Sequence, residues 1–160
     1  PDGRVTPRIE ALAGLLRAGG LTEVPVTTEI RKEVWAKLMG NISYGPLCIL
    51  TRRNLRETYA DPAIAAAAER MIREAQTIAA ALGITLDTDP VQQLAGVGRS
   101  AHKPSILQDL ELGRQMEVES ILLAPLRIAR MAGVAPPTLD LVVALARSVA
   151  EGAGLYTPAG

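Results

Sequence analysis

A lysine and an asparagine one helical turn apart are the first candidate functional residues of this sequence. Lys37 and Asn41 lie in "VWAKLMGN", where apolar residues recur at helical spacing. Together with Ile30 and Val34 they follow one stripe of a helix, which predicts that both polar side chains face inward. A lysine ammonium held at a cleft can donate a proton to a reacting oxygen. The alternative is a lysine at the rim of the stripe, with its ammonium in water.

A second group of polar residues lies in "HKPSILQDLELGRQMEVES". Ser105 and Asp109 are one turn apart, and Glu117 follows twelve residues after Ser105. A hydroxyl and carboxylates suit a small polar substrate. On an unbroken helix Ser105 and Glu117 would point about 120° apart, so they converge only if the backbone bends near Gly113. Alternatively, Ser105 caps the helix and the two carboxylates are solvated.

Other motifs of this sequence carry less weight. "GVGRSA", residues 96–101, matches the outline of a glycine-rich dinucleotide loop, but no strand pattern precedes it, so we reject this interpretation. His102 is interpreted as a surface residue and Cys48 as a core residue, and neither is given a role. One cysteine and one histidine cannot form a disulfide or a zinc site, so no metal is predicted.

Composition limits the partners of the protein. Lysine plus arginine and aspartate plus glutamate both total 17, and only four residues are aromatic, which argues against a nucleic-acid partner. The apolar stretches are shorter than the roughly 18 residues that a membrane span needs. The sequence therefore predicts a soluble, cytoplasmic protein without a nucleic-acid or membrane partner.

Helices carry these candidate residues, and periodicity and capping residues predict where the helices lie. No segment shows a convincing period of two, so the sequence predicts an all-α helical bundle. Six helices are expected: one from Pro7 to Gly19-Gly20, one after Thr27 or Thr28, an alanine-rich one from Asp61 to Gly83, a short one at Asp89-Pro90, one from Pro104 to Gly133 with an irregularity at Gly113 and a kink at Pro125, and one from Thr138 to Gly152.

Taken together, the two polar segments and "GVAPPTLD" resemble the C-terminal domain of the ketopantoate reductases (2-dehydropantoate 2-reductases), a fold like the C-terminal domain of 6-phosphogluconate dehydrogenase. In that family an N-terminal Rossmann domain binds NADPH, and ketopantoate is reduced to pantoate in the cleft between the domains. "PDGRV" resembles the end of the last N-terminal strand. We therefore expect residues 1–6 to be a remnant of that domain, and residues 7–160 to be a helical substrate-binding and catalytic domain that is inactive alone.

The resemblance also implies roles for individual residues. Lys37 is similar to the catalytic lysine that protonates the substrate oxygen, and Asn41 to an asparagine that holds substrate. Ser105 corresponds to the serine that binds the substrate carboxylate. Glu117 corresponds to the glutamate that orients the substrate hydroxyl and works with the lysine, with Asp109 as a supporting residue. The cofactor implied is NADPH, bound mainly by the other domain, and the substrate is a small 2-oxo acid.

Departures from the family pattern leave two alternatives open. Gly45-Pro46 stands where many relatives have asparagine and proline, and Leu122-Leu123 where an Asn-Gly pair is common. Both favour a paralogue that reduces a different 2-oxo acid. Alternatively, the chain is a non-catalytic binding or dimerisation module, in which the apolar run 121–128 and the helix from Pro62 supply the face of a homodimer.

Overall fold

The computed structural model describes residues 3–158, so Pro1 and Asp2 of the expected strand remnant lie outside the described residues. Within this range the chain forms eight α-helices and one π-helical segment, Val118–Leu123, and no strand. The all-α prediction is confirmed. The helices are α1 Pro7–Ala18, α2 Ile30–Thr51, α3 Leu55–Tyr59, α4 Pro62–Ala81, α5 Pro90–Val97, α6 Ser105–Glu111, α7 Ala124–Met131 and α8 Pro137–Gly152.

Two compact units divide the chain, one up to Val34 and one from Trp35 onward. The first unit contains α1, which begins as predicted with proline in its first turn. The Thr6 hydroxyl caps it by accepting a hydrogen bond from the backbone N–H of Ile9 at 3.4 Å. The Arg17 guanidinium near the end of α1 donates to the carbonyl of Val24 at 2.6 Å, which ties the following loop to the helix.

Helix α4 supplies one wall of the core in the second unit. Its start was predicted correctly: Asp61 Oδ1 accepts a hydrogen bond from the backbone N–H of Ala63 at 2.8 Å. One face of the helix is buried at helical spacing, and the alanines on it allow neighbouring helices to approach closely. The buried residues of this face are Ala68, Met71, Ile72, Ala75, Ile78 and Ala79.

The predicted irregularity at Gly113 is present, but it interrupts the helical run from Pro104 to Gly133, which was predicted to be continuous. Helix α6 ends at Glu111, and Gly113 adopts a left-handed conformation with φ +65°, which glycine tolerates because it has no Cβ. The chain becomes helical again only at Val118, first as the π-helical segment and then as α7. Pro125 lies in the first turn of α7, directly after the π-helical segment.

The start of α8 also differs from the prediction, because Thr138 is not its cap. The helix begins at Pro137, and no side chain at the cap position bonds to it. The Glu74 carboxylate of α4 does so from 64 residues away: it accepts the backbone N–H of Thr138 at 3.0 Å and that of Leu139 at 2.8 Å. A carboxylate at this end of a helix is stabilising, because the first N–H groups have no partner within the helix.

A short helix, α3, was missed by the sequence analysis. Asn54 accepts the backbone N–H of Glu57 at 3.0 Å, and the Glu57 carboxylate accepts the N–H of Asn54 at 3.4 Å, which forms a capping box. The signal, asparagine followed three residues later by glutamate, is present in the sequence. Its five-residue length gives too little periodicity to detect.

Most apolar residues of the run 121–128 pack in the core. Leu122 is fully buried, Leu126 is 3% exposed, and Ile121 and Ile128 are half-buried against the same core. Leu122 therefore packs inside the bundle. Among residues 3–158, no helix combines the length and apolarity that crossing a bilayer requires.

Candidate functional site

Helix α2 forms one wall of a pocket of about 420 Å³ that lies within the second unit. The other walls come from the start of α3, the loop after α5 and the first turn of α6. This volume is within the usual range of small-molecule binding sites. The pocket is lined by Lys37, Gly40, Asn41, Tyr44, Gly45, Leu55, His102, Pro104, Ser105 and Gln108.

The structure brings three of the predicted site residues together in this pocket: Lys37, Asn41 and Ser105. The first two come from α2 and the third is the first residue of α6, 64 positions further along the chain than Asn41. The Ser105 hydroxyl has no hydrogen-bond partner among residues 3–158, so it does not act as a helix cap. An ammonium, an amide and a hydroxyl therefore converge on one cavity.

The predicted inward stripe of α2 is wrong. Ile30 and Val34 are 51% and 57% exposed, and Lys37 is exposed as well. The buried face of the helix is a different one, which contains Met39 and Ile42. Of this stripe, Lys37 and Asn41 line the pocket. The Lys37 side chain is therefore not buried in the core.

Asp109 and Glu117 do not line the pocket. The Asp109 carboxylate is paired with the Arg114 guanidinium at 2.8 Å, across the turn that follows α6. Glu117 is exposed and precedes the π-helical segment, where its carbonyl accepts the backbone N–H of Ile121 at 3.1 Å. The backbone does bend at Gly113, but the bend does not place the Glu117 side chain on the pocket wall.

His102 is exposed, as predicted, and it also lines the pocket, although the sequence analysis gave it no role. It belongs to the loop between α5 and α6, and its position beside Ser105 depends on how that loop folds. No periodicity or motif around a single histidine predicts such a position. Cys48, in contrast, is fully buried as expected, and burial raises the pKa of its thiol.

Gly45 lies where α2 and α6 pack against each other beside the pocket. A Cβ at this position would lie 3.1 Å from Ile106 Cγ2, closer than ordinary van der Waals contact. Because Ile106 is 3% exposed, it has little freedom to move away. The glycine therefore permits this close packing, and the adjoining wall of the pocket has no side chain.

Tyr44 lines the pocket and belongs to a partly buried aromatic pair. Its ring meets that of Tyr59 edge to face, with ring centroids 5.9 Å apart. Burial raises the pKa of both phenols. The ring also lies against Gly40, since a Cβ there would be 3.4 Å from Tyr44 Cε2. Tyr44 therefore stays protonated and uncharged at neutral pH.

The described residues do not provide a dinucleotide site. The glycine-containing loop at residues 96–101 follows α5, whereas a pyrophosphate loop requires a preceding strand, and residues 3–158 contain none. Nor do three or more potential metal ligands come together in this part of the chain. The pocket is suited to a small polar molecule.

Comparison with known proteins identifies the family. Residues 29–150 match the family model described as "Ketopantoate reductase PanE/ApbA C terminal". The chain therefore belongs to the ketopantoate reductase family and corresponds to its C-terminal domain. It is 37% identical to the 2-dehydropantoate 2-reductase of Mesorhizobium japonicum over 158 residues, which are 98% of this chain and 48% of that protein.

Solved structures agree with this assignment. The crystal structure of 2-dehydropantoate 2-reductase from Methylococcus capsulatus matches 93% of this chain and 48% of its own, with a TM-score of 0.84 and 28% identity. D-mandelate dehydrogenase in its ternary structure with NADH and anilino(oxo)acetate shares the fold over 92% of this chain and 62% of its own, with a TM-score of 0.81 and 22% identity. The chain spans about half the length of the curated relatives it matches.

Proposed function

We propose that this chain is the substrate-binding and catalytic part of an NADPH-dependent reductase of a small 2-oxo acid, most simply ketopantoate. The observation that carries the proposal is the convergence of Lys37, Asn41 and Ser105 on one pocket, in a chain of this family. All three residues lie in the unit from Trp35 onward. We propose that residues 7–160 act with an N-terminal Rossmann domain, to which residues 1–6 belong.

Lys37 is the proposed general acid. Reduction of a 2-oxo acid turns its carbonyl oxygen into a developing alkoxide, which an adjacent ammonium both stabilises and protonates. The Lys37 ammonium gives up one proton and becomes an amine. Because the side chain is exposed, water can return that proton after product leaves.

Asn41 and Ser105 are the proposed substrate-holding residues. The Asn41 amide lies one turn from Lys37 on the same wall, so it can bond to the oxygen that the lysine protonates. The Ser105 hydroxyl comes from α6 and can donate to the substrate carboxylate. Two anchors on different helices fix the direction in which the carbonyl is presented.

NADPH supplies the hydride in this proposal, and it is held mainly by the N-terminal domain. The described residues contribute no pyrophosphate loop to that site. D-mandelate dehydrogenase, which shares the fold, was solved with NADH. The preference of this protein for NADPH over NADH is therefore also a proposal.

A different 2-oxo acid is the second candidate substrate. Gly45 lines the pocket without a side chain, so it offers the substrate no side-chain hydrogen bond where many relatives have asparagine. A non-catalytic dimerisation module is the third candidate. Most of the apolar run 121–128 that motivated it packs in the core, which leaves this alternative with less free surface.

A substrate panel tests the proposal. The full-length protein is purified and NADPH oxidation is followed with ketopantoate, 2-oxobutanoate, 2-oxoisovalerate and phenylglyoxylate. Preference for ketopantoate supports the first candidate, and preference for another acid of the panel supports the second. If none of the four acids accelerates oxidation of NADPH or NADH, the reductase proposal is wrong.

A further inference from the structure

The loop that carries His102 is held against α3 by several hydrogen bonds. The backbone N–H of Leu55 donates to the carbonyl of His102 at 3.1 Å, and that of Arg56 to the carbonyl of Ser100 at 2.9 Å. The Arg56 guanidinium adds two bonds to the carbonyl of Arg99, at 3.2 and 2.8 Å. The loop therefore has a defined position on the wall of the pocket.

The same loop is also tied to α6. The Gln108 side-chain amide donates to the carbonyl of Lys103 at 2.8 Å, and the Lys103 ammonium bonds to the Glu111 carboxylate at 2.7 Å. The backbone N–H of His102 donates to the Ser100 hydroxyl at 3.1 Å. Both backbone groups of His102 are thus engaged, and the charge of its neighbour Lys103 is directed to Glu111.

The His102 side chain is exposed, although its loop is well held. It lines the pocket with Lys37, Asn41 and Ser105, and no side chain among residues 3–158 bonds to it. A histidine ring always offers at least one N–H donor. A carboxylate has two oxygens and accepts several hydrogen bonds, of which the Ser105 hydroxyl can supply one.

We propose that His102 is a specificity-determining residue, which donates a hydrogen bond to the carboxylate of the bound 2-oxo acid beside Ser105. This inference rests on the proposed function. His102 lies three positions before Ser105 and lines the same pocket, whereas Lys37 comes to the pocket from α2. Two donors to the carboxylate, with the Lys37 ammonium for the carbonyl oxygen, would favour substrates with a free carboxylate next to the carbonyl.

The experiment compares full-length His102→Ala and His102→Gln with the wild type. Steady-state kinetics are measured with the preferred acid of the panel. Binding of oxamate, a 2-oxo acid analogue that cannot be reduced, is measured by calorimetry with NADP⁺ present. Arg99→Ala is the matched control, since Arg99 lies in the same loop, does not line the pocket and keeps the carbonyl that Arg56 contacts.

For His102→Ala we expect KM and the oxamate Kd to rise about tenfold to a hundredfold, the usual effect of losing a hydrogen bond to a charged group. The turnover number should change little, because the bond is present in both ground and transition states. His102→Gln, which keeps an N–H donor, should recover part of the loss. Arg99→Ala should behave like wild type.

Unchanged KM and oxamate affinity in His102→Ala would overturn the inference, as would a loss equal to that of Arg99→Ala or failure of the wild type to bind oxamate. The failure of the proposed function looks different. If the wild type reduces no 2-oxo acid but binds oxamate, and His102→Ala weakens that binding, then His102 keeps its role as a carboxylate ligand and only the reaction is wrong.

Discussion

Replacing Glu74 by alanine should destabilise the fold substantially, although this residue lies outside the pocket. Its carboxylate accepts two backbone N–H groups of α8, at 3.0 and 2.8 Å. Losing a helix cap costs about 0.5–2 kcal/mol, and losing the charge at the helix end about 0.3–1 kcal/mol. Because Leu139 is buried, water replaces the lost acceptor poorly. We expect a loss of about 2 kcal/mol in the free energy of unfolding.

Urea unfolding of this 160-residue chain, followed by circular dichroism, measures that loss. With a slope of about 2 kcal/mol per molar urea, the midpoint should fall by about 1 M. Glu74→Gln keeps one acceptor oxygen without the charge and should fall between alanine and wild type. Glu69→Ala is the matched control, because its carboxylate only pairs with the exposed Arg73. We expect an effect below about 0.5 kcal/mol for it.

The reasoning would be refuted if Glu74→Ala unfolded at the same urea concentration as Glu69→Ala. Such a result would mean that the first turn of α8 is held by the packing of Leu139 alone. The two backbone bonds would then contribute no net stability.

Two further predictions concern other carboxylates. The Tyr156 hydroxyl donates to Glu119 at 2.6 Å, which, with the nearby Arg127, lowers the pKa of the carboxyl and raises the pKa of the phenol. Because the pKa of the Glu119 carboxyl is lowered in the folded chain, its contribution to stability is lost as the pH falls through that pKa. Because the pKa of the Tyr156 phenol is raised, its contribution is lost as the pH rises through that pKa. Tyr156→Phe should therefore destabilise the chain at pH 7, with a smaller difference from wild type below about pH 4 and above about pH 10, as thermal melts across pH would show. Glu117→Gln should lower the turnover number of the full-length reductase by at least about tenfold if Glu117 works with Lys37, and wild-type kinetics would remove that role.

Much of the fold could be predicted because its signals are local. Asp61 and Pro62 begin α4, and the capping residues and glycines of α1 likewise lie next to the turns they control. The cap of α8 could not be predicted, since Glu74 is distant in the sequence and only the packing of α4 against α8 brings it there. The break at Gly113 was underestimated, because a single glycine inside a helical pattern does not reveal its backbone conformation.

The candidate site, like the fold, could be predicted only in part. Lys37 and Asn41 share a pocket wall because they are one turn apart on a helix, which the sequence shows directly. That this wall is open instead of buried depends on which elements pack against α2, so the predicted burial was wrong. His102 lines the pocket because of how its loop folds, and the sequence gives no periodic signal for that loop conformation. The roles of Lys37, Asn41, Ser105, Asp109 and Glu117 remain predictions.

The most direct test of the central claim is the effect of Lys37→Ala on kcat/KM for reduction of a 2-oxo acid by the full-length protein. Lys103→Ala is the matched control, because that ammonium is paired with Glu111 and does not line the pocket. A general acid typically contributes about 10²- to 10⁴-fold, so we predict a loss of that size for Lys37→Ala and near wild-type values for Lys103→Ala. Equal kcat/KM for Lys37→Ala and wild type would contradict the proposal that Lys37 protonates the substrate.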